Sequence, residues 1–428
     1  MHAEERHRDT EGTMLMLRCA LPKPFLVATT VAAAMLAIAT HTLPAQQPTA
    51  KQFREQQAQQ DKFVRINQIQ VIGTHNSYHA GFAPSEAAFI QKQNPKAFEA
   101  LDYSHPPLAD QLSAGIRQLE IDVYADQKGG RFAHPAIDQY TAAAHLPADP
   151  PYDPNHEMDK PGFKVMHVVG IDQRSRCYTF VECLTDVRTW SNAHPDHLPL
   201  FLLIETKYDK PAASGAPAQP WAVASEAFTP AVFDALDAEI LSVFKPSEII
   251  TPDQVRGTHA TLPEAIAEHG WPTLAEARGK VIFLMDQAPM TAIYTEGHPA
   301  LKGRLLFTNA TPGTPDAAFV EENSGTAEEI DAFVRKGYLV RTRTDEPTED
   351  ARQNRTTARD RALSSGAQML STDYPASEPA RWEGHYHAEL PGNAIARCNP
   401  VNRPAACKDS LLPGTSRVVP VARSAGGN

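Results

Sequence analysis

Short apolar runs rich in Val, Ile and Leu recur along this chain, separated by longer stretches of mixed or amphipathic character. Eight stand out: Ile66–Gly73, Ile116–Val123, Phe163–His167, Leu200–Glu205, Lys280–Met285, Gly303–Phe307, Tyr338–Thr342 and Ala367–Ser371. Their continuous apolar content is that of strands covered on both faces. Between several of them lie segments of helical character, at Thr179–Ala193, Pro230–Phe244, Ala327–Lys336 and Arg352–Ser365. Such alternation builds a parallel sheet, and eight units predict an α/β fold of the (β/α)8 TIM-barrel type. An open doubly wound sheet is the competing arrangement, but no glycine-rich phosphate loop follows the first run.

The pattern also divides the chain. Arg18 and Lys23 precede an apolar stretch over Phe25–Thr40, followed by Leu43-Pro44-Ala45-Gln46. A positive start, an apolar middle and a small residue at the exit predict a signal peptide over 1–46, and so a secreted or periplasmic protein. The stretch is short for a span of ~20 residues, although an uncleaved anchor is the alternative. Residues 47–62, rich in Gln and charge, read as a linker or a solvated helix. The barrel domain is expected over 63–390, and a Pro- and Arg-rich tail over 391–428. Two insertions, 128–162 and 210–279, the second containing the Pro211–Pro220 stretch, follow strands. Both are therefore expected to decorate the C-terminal face, where such barrels carry their sites.

Composition narrows the function classes. With 42% apolar residues in 428, the chain can bury a large core. Its net charge of -11 and lack of a long basic run exclude a nucleic-acid partner. The same acidity argues against tight electrostatic docking on anionic membranes. Cys19 lies in the signal segment, and the other cysteines fall in two local pairs. Cys177–Cys183 and Cys398–Cys407 form the simplest of about three connectivities, in keeping with export. Nothing in the sequence indicates an oligomeric state.

The strand ends carry the chemistry. The first run leads into His75-Asn76-Ser77-Tyr78, the second contains Glu120-Ile121-Asp122, the third ends in His167, and the fourth leads into Glu205-Thr206-Lys207. Strand side chains alternate with period two, so Glu120 and Asp122 share a side, as do Glu205 and Lys207. With neighbouring parallel strands, Asn76, Glu120, Asp122 and Glu205 form an all-oxygen set suited to a hard cation such as calcium. His75 and His167 would face the same mouth, where imidazoles can supply the acid and the charge stabilisation that phosphodiester cleavage needs. The other histidines, His79, His105, His134, His145, His156, His194 and His197 among them, read as surface or core residues.

In order and spacing, His75-Asn76-Ser77-Tyr78, Gln118-Leu119-Glu120-Ile121-Asp122, Val165-Met166-His167 and Leu203-Ile204-Glu205 resemble the calcium-dependent phosphatidylinositol-specific phospholipases C, especially their bacterial secreted branch. The resemblance spans about residues 66–375 and includes segments 270–285 and 371–375. It implies that His75 stabilises a pentacovalent phosphorane, and that His167 does likewise or protonates the leaving diacylglycerol. It implies Ca2+ as cofactor, held by Asn76, Glu120, Asp122 and Glu205, with Glu205 also acting as base toward an inositol 2-hydroxyl. The product would be a cyclic phosphodiester that water can open. Lys207 either contacts phosphate or neutralises Glu205. Arg341 and Arg343 either bind an anionic head group or pair with acids such as Asp373. The expected partner is a phospholipid or related phosphodiester, met in transient contact with a membrane surface. Trp221 and Trp271 are the aromatic candidates for that contact.

Glycerophosphodiester phosphodiesterases and sphingomyelinase D-like enzymes also use two histidines and a Glu-x-Asp pattern. The former usually follow the first histidine with arginine, where this chain has Asn76. A non-catalytic binding protein on a decayed barrel would be expected to have lost some of these groups.

Overall fold

A computed structural model describes residues 49–208, 223–346 and 348–413. The expected signal segment, the Pro211–Pro220 stretch, Trp221 and the end of the tail lie outside the described residues. Among the described residues, no helix is long and apolar enough to cross a membrane.

Among the described residues, ten strands form one sheet: β1 (Ile69–Thr74), β2 (Gln118–Val123), β3 (Leu200–Thr206), β4 (Ile249–Ile250), β5 (Val281–Met285), β6 (Leu306–Thr308), β7 (Phe319–Glu321), β8 (Leu339–Arg343), β9 (Met369–Thr372) and β10 (Ala396–Cys398). Eight of them run parallel around a barrel in the order β1, β2, β3, β5, β6, β7, β8, β9, and β9 pairs back onto β1. The seam between β6 and β7 is a single parallel bridge, Asn309 to Phe319. The fold is thus a parallel, curled sheet of TIM-barrel type. All positions of these eight strands are buried except Glu205 and Glu321, which are half-buried. Burial on both faces explains why the strands read as unbroken apolar runs.

Two short strands complete the N-terminal end. β4 pairs with the start of β5, below the point where β6 takes over. β10 pairs antiparallel with Ile69, Gln70 and Val71 of β1, whereas β2 joins β1 only higher up, at Gly73 opposite Gln118. Gly73 suits that junction, because a Cβ there would lie 1.9 Å from Gln118 Oε1.

The covering helices begin where cap residues predict. Thr179, Thr229 and Thr326 accept backbone N–H groups at the starts of the helices Phe180–Ala193, Pro230–Val243 and Ala327–Arg335. Residues 50–61, read as linker or solvated helix, form a capped helix that buries Gln57, Gln60 and Asp61. The disulfides are Cys177–Cys183 and Cys398–Cys407.

Three expectations need correction. Phe163–His167 is not a barrel strand. β2 pairs with β3 along its whole length, so no strand can lie between them. The segment lies instead in the long excursion after β2, where Lys164 bridges antiparallel to Tyr124 and Thr179. Phe163 and Val165 are fully buried, which gives the run a strand-like apolar content without a place in the sheet. The eighth barrel strand is β7, only three residues long. The second insertion does not stay on the C-terminal face, since after the helix Pro230–Val243 the chain returns to the N-terminal end and forms β4. Trp271 lies on that return. It is fully buried and its indole donates to the Gly337 carbonyl at 2.8 Å, so it is unavailable for membrane contact.

Candidate functional site

The C-terminal mouth gathers the polar strand ends. After β1 the chain turns sharply at Asn76, whose φ of +45° lies in the left-handed region that asparagine tolerates better than most residues. The turn docks on β2: Ser77 N donates to the Glu120 carbonyl at 3.0 Å, and Glu120 N donates to Ser77 Oγ at 2.8 Å. The Asn76 amide donates through Nδ2 to the Tyr103 hydroxyl at 2.7 Å. Its Oδ1 is thereby left on the side of the Tyr78 hydroxyl, 3.5 Å away.

Glu120 and Asp122 project from alternate positions of β2, and the parallel register sets Asp122 beside Glu205 of β3. Ligand atoms of the three carboxylates all lie within 4.8 Å of one another. That span equals the diameter of a coordination sphere of ~2.4 Å radius, as calcium requires. Both Asp122 carboxylate oxygens are buried, and the Tyr78 hydroxyl is directed at this carboxylate. Lys207 Nζ approaches Oδ2 at 3.1 Å as an ion pair without hydrogen-bonding geometry, and it meets Glu205 at 2.9 Å. Burial, then the Glu205 charge, pushes the Asp122 carboxyl well above the usual range. Burial likewise raises Glu120 to about 7, against the pull of Arg341. Burial alone would lower the Lys207 pKa, but Asp122 and Glu205 raise it well above its ordinary value. An all-oxygen set of three close carboxylates therefore fits a hard divalent cation held by Glu120, Asp122 and Glu205, with Asn76 beside them.

Each candidate imidazole is held by an aspartate. His75 Nδ1 lies 2.8 Å from Asp373 Oδ1, and its Nε2 lies 3.5 Å from Glu120 Oε1. Burial, then Arg343, lowers the His75 pKa well below its usual value, although Asp373 opposes them. His167 Nδ1 lies 2.9 Å from Asp172 Oδ2. The same carboxylate receives Nε2 of the fully buried His79 at 2.9 Å. Burial lowers the His167 pKa. It would raise that of Asp172, but His79 and the hydrogen bond from His167 hold it well below the carboxylate range. His167 reaches the mouth from a loop, not from a strand end.

Arg341 and Arg343 are built into the wall. Arg341 bonds Glu120 at 2.5 Å, Glu321 at 2.6 Å and Asn323 at 2.7 Å. Arg343 bonds Asp345 at 2.9 Å and Asp373 at 3.0 Å. Five supporting residues had no distinct signal in the sequence. They are His79, Asp172 and Tyr103, together with His105, which bonds Glu378 at 2.7 Å and the His75 carbonyl at 3.0 Å, and Asp286. Burial, then Glu321, raises the Asp286 carboxyl well above its usual value.

A family model described as "Phosphoinositide phospholipase C, Ca2+-dependent" matches residues 64–400. No curated protein matches the chain. Among solved structures, the chain is similar to a calcium-dependent phosphoinositol-specific phospholipase C from a Gram-negative bacterium, Pseudomonas sp. The identity is 15%, the TM-score 0.46, and the match covers 79% of this chain and 96% of that one. It is also similar to a Ca2+-dependent phosphatidylinositol-specific phospholipase C from Streptomyces antibioticus, at 19% identity and TM-score 0.43, over 72% of this chain and 95% of that one.

Proposed function

We propose that this chain, which belongs to the Ca2+-dependent phosphoinositide phospholipase C family, cleaves the glycerol–phosphate bond of phosphatidylinositol-like lipids by attack of the inositol 2-hydroxyl. Family membership makes it a phosphodiesterase; the bond, order of steps and products are our reading. The observation that carries this reading is the convergence of three carboxylates, Glu120, Asp122 and Glu205, whose ligand atoms lie within 4.8 Å of one another. Three carboxylates so close carry more negative charge than Lys207 alone can offset, which a divalent cation would answer.

Asn76, Glu120, Asp122 and Glu205 would hold the Ca2+. When bound, the ion lowers the pKa of a nearby hydroxyl and offsets phosphoryl charge. The protein groups do the rest. Glu205, the half-buried carboxylate at the mouth, takes the 2-hydroxyl proton as the oxygen bonds to phosphorus. His167 gives its Nε2 proton to the glycerol oxygen as the P–O bond breaks, releasing diacylglycerol and a 1,2-cyclic phosphate. A lowered pKa makes its imidazolium the stronger acid. His75, steered by Asp373, stabilises the charge on the phosphoryl oxygens. Water opens the cyclic product in the reverse proton sense. Lys207, which pairs with Asp122 and Glu205 here, would be available to phosphate with those carboxylates engaged by the cation. The reading includes export through residues 1–46, supported by two disulfides.

The test measures wild type and His75→Ala on phosphatidylinositol, with calcium or with a chelator. Activity confined to wild type with calcium is expected. Equal rates in all four conditions would remove the mechanism. Hydrolysis of glycerophosphocholine but not phosphatidylinositol would move the chain to the glycerophosphodiesterase reading.

A further inference from the structure

At the barrel's N-terminal end, opposite the carboxylate mouth, a cavity of about 720 Å³ opens beside Arg65, Ile250, Trp271 and Lys280. His259 and His269 line it, and Glu268 lies within reach of both. We propose that His259, Glu268 and His269 form a binding site for a borderline divalent transition metal of the zinc class. It is separate from the calcium site and does not depend on the catalytic reading.

The donors are already gathered. Ligand atoms of the three residues lie within 4.8 Å of one another. Glu268 stands between the two rings: Oε2 is 2.9 Å from His259 Nε2, and Oε1 is 3.7 Å from His269 Nε2. A tetrahedral ion with ~2.05 Å bonds separates its ligands by about 3.3 Å, so these two distances bracket the required edge. The rings stand edge to face at a centroid separation of 4.9 Å, which lets both nitrogens converge without stacking.

The tautomer is also set. His259 Nδ1 lies 3.2 Å from the Arg256 carbonyl, which can only accept. Nδ1 therefore carries a proton, and Nε2, which donates to the Glu268 carboxylate while no metal is bound, would give up its proton to ligate one. A metal-bound histidine commonly has this outer hydrogen bond to a backbone carbonyl. Glu268 ends the helix Leu262–Glu268 and His269 caps it, while His259 lies just past Gly257, the C-cap of the helix Pro252–Arg256. Two imidazoles and one carboxylate leave the fourth tetrahedral position open to water from the cavity.

The donor chemistry separates this site from the mouth. Nitrogen ligands favour zinc, cobalt or nickel, whereas an all-oxygen set favours calcium. The test is titration of the full chain with Zn2+ by calorimetry in saturating Ca2+, repeated with Co2+ followed by its visible absorption. One Zn2+ binding event and tetrahedral cobalt bands are expected in wild type. His259→Ala and His269→Ala should each weaken that event at least tenfold, and Glu268→Gln should weaken it as well. Ca2+-dependent hydrolysis should be unchanged in all three variants. A wild type with no tetrahedral cobalt spectrum, or Zn2+ affinity equal in wild type and both histidine variants, would overturn the proposal. The alternative is a surface His259–Glu268 ion pair that holds no metal. Circular dichroism of the variants separates loss of the site from loss of the fold.

Discussion

Nδ1 of His75 lies 2.8 Å from Oδ1 of Asp373, so the imidazole that follows β1 is oriented by the carboxylate that follows β9. Asp373 is fixed in turn by Arg343 at 3.0 Å. Asp373→Asn keeps the shape but removes the charge and disturbs the ring's tautomer. We expect kcat to fall ~10²–10⁴-fold with little change in KM, measured by steady-state hydrolysis of phosphatidylinositol. A variant within threefold of wild type would show that His75 does not act through Asp373.

Burial raises both Glu120, to about 7, and Asp122. A carboxyl with a raised folded pKa holds its proton more tightly when folded than when unfolded. Its protonated form costs nothing below about pH 4, and stability is lost as pH rises toward 7. In chelator, the wild type should therefore lose stability across that window, and Asp122→Asn should lose less. Saturating calcium should raise Tm more at pH 7.5 than at pH 4.5. Calorimetry reads both effects, and a calcium shift independent of pH would contradict the account.

Tyr103 accepts the Asn76 amide proton at 2.7 Å and so points Asn76 Oδ1 away from itself. Tyr103→Phe removes one neutral hydrogen bond worth about 1 kcal/mol. Calcium affinity should fall ~5-fold by that amount, measured by isothermal titration, with folding intact by circular dichroism. Unchanged affinity would mean that Asn76 is not held by Tyr103.

Outside the mouth, Glu239 accepts the Phe163 N–H through Oε1 at 3.0 Å, while its Oε2 is buried without a partner. Burial raises its pKa to about 7. Stability contributed by its neutral form is lost as pH rises from about 4.5 through 7. Glu239→Gln keeps the acceptor without the charge. It should stabilise the protein by about 1–3 kcal/mol at pH 8 and by nothing at pH 4, read from urea midpoints at the two pH values.

The barrel and its carboxylates were legible because both rest on local period. Glu120-Ile121-Asp122 alternates within a strand, and Glu205 sits on another strand whose apolar run is unmistakable. The position of His167 does not follow from the sequence, because Phe163 and Val165 are buried by packing, and burial alone does not distinguish a barrel strand from a tucked loop. β7 was missed because three residues carry too little period. The supports of the histidines were out of reach for another reason. His79 meets Asp172 across 93 positions and His75 meets Asp373 across 298. No spacing rule encodes such encounters between loop residues.

The pairing of β1 has a consequence for how the molecule is made. The strand that presents His75 is near the start of the barrel, yet two of its three neighbours are β9 and the tail strand β10. Those partners emerge only after residues 369 and 396. Closing so long a loop is slow, and its entropy must be overcome before the contacts can repay it. The first strand to emerge is thus among the last to be secured, and His75 reaches its final place only when nearly the whole chain has been synthesised.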